Sequence, residues 1–138
     1  MQLGSYYEEM IKVFDESMNS VFGGNIIKTD MMCDVENRGF FRIKYAYPSL
    51  NFTLLVENEF RTFDITFFDE EQASNSLYRI TKFNNQLDKK SIFEAVKLLK
   101  TILEQGDYNL YFQKSGKLYR KNQEGEKRVK DIREMLNG

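Results

Sequence analysis

The chain has 138 residues, 41% of them hydrophobic and 30% charged, with a net charge of −1. That is enough chain for one domain over residues 1–138 with a real core, and the composition argues against a disordered or membrane-spanning protein. Histidine is absent and cysteine occurs once, as Cys33, so histidine-dependent triads, the usual zinc centres and an internal disulfide are excluded.

The N-terminal stretch MQLGSYYEEM has no basic region followed by an apolar one, and no apolar run approaches the roughly 20 residues a membrane span needs. A cytoplasmic protein with no membrane contact is expected. From Ser5 to Phe22, apolar Tyr7, Met10, Ile11, Phe14, Met18, Val21 and Phe22 recur at spacings of three and four, which predicts an amphipathic helix. Ser5 and Glu8 have the spacing of a capping box, and Gly23 with Gly24 stops the helix.

Asn25 to Val35 reads as a first strand and Glu36 to Gly39 as a turn. Next comes the clearest signal in the chain. In Phe41–Tyr47, Phe52–Val56 and Phe63–Phe67 every second residue is aromatic or aliphatic, the period of strands with one buried face. Pro48 closes the first of these strands, Glu57–Glu59 forms a hairpin tip, Asp69–Asn75 forms an acidic loop, and Leu77–Phe83 resumes the strand pattern. Short connections favour antiparallel neighbours.

Asp88 to Gln105 predicts a second helix, with Ile92, Val96, Leu99 and Leu103 in one stripe widened by Phe93, Ala95 and Ile102, a cap at Asp88 and a stop at Gly106. YNLYFQ and KLYRKN flank Lys114, Ser115 and Gly116 as a hairpin, and Glu126 to Leu136 fits a short helix. NLYFQ resembles the recognition segment of a viral protease and is read here as native strand. The fold class is therefore α+β: an antiparallel β-meander of four to five strands plus a C-terminal hairpin, packed by an N-terminal helix and a central helix, with a short C-terminal helix.

Charge is unevenly spread. Residues 108–138 hold eight basic and four acidic residues, a net of +4, which leaves −5 for residues 1–107. Three function classes follow. The first is a non-catalytic binding protein, such as an inhibitor or immunity partner of a toxin or nuclease, whose acidic loops Glu57, Glu59, Asp69, Glu70 and Glu71 steer toward a basic protein partner. The second is a nucleic-acid accessory protein, in which Tyr111, Lys117, Tyr119, Arg120 and Lys121 combine stacking with charge. The third is a metal-dependent enzyme built on carboxylates such as Asp64, but these acids lack a calcium-loop spacing and a nuclease-type acid-x-lysine partner. The glycines form no phosphate cradle, and Cys33 has no histidine to activate it. The expectation is accordingly a protein without catalysis, cofactor or metal.

Overall fold

The computed structural model describes residues 3–34 and 39–136. Helix α1 (Leu3–Phe22) is followed by strands β1 (Ile27–Asp34), β2 (Phe40–Tyr47), β3 (Phe52–Glu59), β4 (Thr62–Phe68) and β5 (Ser74–Ser76). Helices α2 (Leu77–Thr81) and α3 (Lys89–Gln105) come next, then strands β6 (Leu110–Lys114), β7 (Lys117–Asn122) and β8 (Gly125–Arg128) and the short helix α4 (Arg133–Leu136). All eight strands form one antiparallel sheet in sequence order. The C-terminal hairpin is thus part of the sheet and not an appendage to it.

The alternation seen in the sequence is what builds the core. Phe41, Ile43, Tyr45 and Tyr47 of β2, Phe52, Leu54 and Val56 of β3, and Phe63, Ile65 and Phe67 of β4 are all buried. They join Tyr7, Phe14 and Met18 of α1 and Ile92, Val96, Leu99 and Leu103 of α3 in one hydrophobic cluster, so both helices lie on the same face of the sheet. Burying that face supplies most of the drive to fold. Rings meet edge-on, Phe14 against Phe63 with centroids 5.1 Å apart and Phe22 against Tyr47 at 4.9 Å. A partly exposed polar contact pins α1 to the sheet: the Tyr45 hydroxyl donates to Asp15 Oδ1 at 2.6 Å, and Lys28 Nζ donates to Asp15 Oδ2 at 2.9 Å. Burial first, then the Asp15 carboxylate, pushes the Tyr45 phenol far above its ordinary value.

The Asp88 cap and the Gly106 stop of α3 are as expected: Asp88 Oδ1 accepts from the Ser91 N–H at 2.8 Å, and Gly106 takes φ 70°. Several expectations need correction. Helix α1 already includes Leu3 and Gly4, so Ser5 sits within its first turn and not at a cap. Phe93 faces outward under Lys97, whose Nζ lies 4.9 Å from the ring centroid. Leu77–Phe83 is not a strand but contains α2, because the Ser76 side chain accepts the Arg79 N–H and starts a helical turn. Glu126 to Leu136 does not form one helix; its first three residues continue β8, and helix begins only at Arg133. There the Asn122–Gly125 turn, with Gly125 at φ 115° and Asn122 Oδ1 accepting the Glu124 N–H, folds the chain back as a further hairpin. The predicted turn residues Glu36, Asn37 and Arg38, and Val35 at the end of the first strand, lie outside the described residues.

Candidate functional site

The sheet register sorts the candidate residues into distinct surfaces. Arg42, Glu57 and Asp64 stand side by side across β2, β3 and β4, on the face away from the helices, since Asn58 between Glu57 and Glu59 is buried on the other side. Arg42 Nη2 pairs with Glu57 Oε2 at 3.0 Å. Glu59 lies exposed at the tip of the β3–β4 hairpin, opposite Thr62. Asp69, Glu70 and Glu71 belong to the β4–β5 loop at the other end of β4. Seven residues of extended strand place about 20 Å between the two acidic groups, so they do not form one surface.

The β3–β4 tip is braced from several sides. Asn58 Oδ1 accepts the Phe41 N–H at 2.6 Å, while Asn58 Nδ2 donates to the carbonyls of Gly39 at 3.1 Å and Phe60 at 3.0 Å. These bonds begin where the β2–β3 ladder ends, at Arg42 opposite Glu57, so one buried amide extends the pairing by a step. Gly39 fits here because it takes φ 63° and because a Cβ at this position would come within 3.2 Å of the Tyr7 ring. From the other side, the Leu87 N–H donates to the Arg61 carbonyl at 2.7 Å and the Phe63 N–H to the Asn85 carbonyl at 3.1 Å. The Arg61 guanidinium lies over the Tyr6 ring, 4.9 Å from its centroid, and the Tyr6 hydroxyl donates to the Leu87 carbonyl.

At the apex of this tip stands Phe60, 73% exposed, with φ 54°. A bulky side chain in the left-handed region is strained by roughly 1–2 kcal/mol, and a phenylalanine this exposed recovers little of that by burial. Beside it a cleft of about 450 Å³ is lined by Glu57, Glu59, Phe63, Asp64, Tyr78 and Asn85, among others. Asp64 Oδ1 accepts the N–H groups of Ile65 at 2.8 Å and Tyr78 at 3.0 Å, which ties α2 to the cleft wall. Sequence reasoning named Glu57 and Glu59 but missed Phe60, because the signal is a backbone conformation; the only trace of it in the sequence is an aromatic residue at a hairpin turn where a polar residue or glycine is usual.

The second acidic group and the basic hairpin turn out to be one arrangement. Lys121 Nζ bridges Asp69 Oδ2 at 2.8 Å and Glu71 Oε1 at 2.7 Å, and those two hydrogen bonds raise the Lys121 pKa. Asp69 also closes its own loop, Oδ1 accepting the N–H groups of Glu71 and Ala73. Glu70 remains exposed.

The five hairpin residues are divided between the two faces. Tyr111 stands opposite Arg120 on one face, whereas Lys117, Tyr119 and Lys121 stand opposite Lys114, Phe112 and Leu110 on the other. Tyr119 stacks on Phe112, with ring centroids 5.4 Å apart at 16°. Tyr111 is only 4% exposed, and Arg120 Nη1 pairs with Glu134 Oε2 of α4 at 3.2 Å. One bound single strand would reach only part of this set.

Among the described residues no group of three or more His, Cys, Asp or Glu side chains is placed to hold a metal ion, and no helix is long and apolar enough to cross a membrane. No protein-family model, curated protein or solved structure matches the chain.

Proposed function

We propose that this is a non-catalytic binding protein that holds a basic protein partner on the β3–β4 tip, in the manner of an inhibitor or immunity partner of a toxin or nuclease. Phe60 is the apolar anchor, and Glu57, Glu59 and Asp64 form the acidic rim around it. The observation that carries this reading is that a braced turn holds a phenylalanine in the left-handed region with its ring in solvent. Backbone strain kept at a rigid site, with an exposed aromatic beside acidic groups, fits a preorganised contact surface. Acidic rim groups would speed association with a basic partner, an effect that weakens once the screening length falls to about 8 Å at physiological salt.

The test uses wild-type protein and three variants, Phe60→Gly, Glu59→Lys and Glu70→Lys, as immobilised bait for native extract. A basic protein retained by wild type and by Glu70→Lys, and lost with Phe60→Gly and Glu59→Lys, supports the tip as the contact. Retention that ignores both tip variants and fails with Glu70→Lys assigns the contact to the β4–β5 loop. Proteins held equally by all four baits reject the proposal.

A further inference from the structure

The opposite end of the sheet holds a polar group that the fold does not satisfy. Among the described residues the Tyr111 hydroxyl is buried with no partner at full hydrogen-bond geometry; the Asn109 side chain approaches it as a weak donor that lowers its pKa, which leaves its proton without an acceptor. A buried hydroxyl without a partner costs about 1–3 kcal/mol, so its presence calls for a reason. Its neighbours are cationic. Arg120 is its direct cross-strand partner, and Arg79 of α2 lies near enough, with Arg120, to oppose the rise in the Tyr111 pKa caused by burial and Glu134. Among the described residues the Arg79 guanidinium is held only by a 3.4 Å contact from Nη1 to Asn75 Oδ1, and Asn75 Nδ2 in turn donates to the Asn109 carbonyl.

One anion already visits this place, and it belongs to the chain itself. After β8 the Val129 N–H donates to the Leu118 carbonyl at 2.8 Å, and the chain then turns so that Glu134 meets Arg120. The tail is lightly attached: α4 buries none of its residues, and Ile132 and Leu136 are exposed. The Glu134 carboxylate engages Arg120 through one nitrogen. It leaves the Tyr111 hydroxyl without an acceptor, and its single negative charge pairs with Arg120 alone, while Arg79 keeps only its contact with Asn75. A dianion with more acceptor oxygens matches that inventory better than a carboxylate does.

We propose that Tyr111, Arg79 and Arg120 form a binding site for a phosphate dianion, free or as a monoester, for which the Glu134 carboxylate of the chain's own tail competes. Diester phosphates of a nucleic-acid backbone carry one charge each and are the poorer match. The site lies at the other end of the sheet from the Phe60 tip and stands independently of it.

The experiment is a calorimetric titration of the full chain with inorganic phosphate, phenyl phosphate, dimethyl phosphate and acetate. Inorganic phosphate is expected to bind Glu134→Gln about tenfold more tightly than wild type, because one competing charge-assisted bond is gone. Tyr111→Phe is expected to weaken phosphate binding about fivefold while leaving the melting temperature unchanged or higher, since the hydroxyl it removes has no acceptor. Arg120→Gln and Arg79→Gln should each cost about tenfold or more; if either fails to fold, Tyr111→Phe decides. Phenyl phosphate binding alongside inorganic phosphate shows that monoesters are accepted, and its exclusion restricts the site to the free ion. The proposal falls if neither wild type nor Glu134→Gln binds phosphate, if Tyr111→Phe binds it as wild type does, or if dimethyl phosphate or acetate binds as tightly.

Discussion

The two ends of the sheet are secured in different ways. At the β3–β4 tip the chain is held by neutral hydrogen bonds, those of the buried Asn58 and of the 85–87 segment. At the C-terminal hairpin neutral bonds of Asn75 and Asn122 to Asn109 are joined by ion pairs nearer the surface, Lys121 with Asp69 and Glu71, and Arg120 with Glu134. Buried hydrogen bonds resist salt and are costly to break, whereas exposed ion pairs are individually worth 0–1 kcal/mol and weaken in salt. One end is therefore built to stay fixed, and the other to be exchangeable.

The largest effect should come from breaking the brace itself. Asn58→Ala leaves the Phe41 N–H and the Gly39 and Phe60 carbonyls without their partner, and chemical denaturation should show a loss of about 2–4 kcal/mol. A loss under 0.5 kcal/mol would remove the contrast between the ends.

Alkaline pH sharpens the comparison next. Tyr45 and Lys121 both have raised pKa values, so the folded state keeps protons that the unfolded chain releases. Their stabilisation is complete below the unfolded values, 10.0 for Tyr45 and 10.5 for Lys121, and is lost as pH rises above them. The buried Tyr45 should dominate, with stability falling by up to about 1.4 kcal/mol per pH unit above about 10. Tyr45→Phe should flatten that slope, and an unchanged slope would reject the assignment.

Phe60→Gly is smaller and of opposite sign. Relief of the left-handed conformation, set against the greater freedom of glycine in the unfolded chain, should raise stability by about 0.5–1 kcal/mol. A destabilised Phe60→Gly would show that the ring packs and is not held for a partner. Smallest of all, Lys121→Met should cost under about 1 kcal/mol at low salt and almost nothing in 1 M salt. A salt-independent loss would mean that the C-terminal end is fastened as firmly as the tip.

The inward-facing residues of β2, β3 and β4 and the stripe on α3 were legible because burial on one face writes a period into the sequence. Helix α2 was not, since an element of five residues is too short to show its period clearly, and the Ser76 cap that starts it is a local hydrogen bond. Strand β8 was missed because Glu126, Lys127 and Arg128 are exposed, and a strand that buries nothing leaves no hydrophobic pattern. Of the candidate sites, Glu57 and Glu59 were visible as acids near a turn, but both belong to β3 and the turn itself is residues 60–61, not the expected Glu57–Glu59. The ion pair joining Lys121 to Asp69 and Glu71 was not visible, because it links positions about fifty residues apart, and one sequence carries no record of such proximity. The splitting of Tyr111 and Arg120 from Tyr119 and Lys121 follows from hairpin register, which turn geometry fixes.

Strands β5 and β6 are joined by a single cross-strand pair, Ser74 with Tyr111, although every other neighbouring pair of strands is laddered over three or more residues. The sheet is continuous in outline but hinged in cooperativity. Hairpins formed by neighbours in sequence close quickly, whereas this seam must wait for the helices between its two strands to be laid down. The two sides of the seam are expected to open separately, with amide hydrogens of β7 and β8 exchanging before those of β2, β3 and β4, because little beyond the Lys121 pairs, the Asn75–Asn109 bond and the packing of Leu110 adds to that one rung.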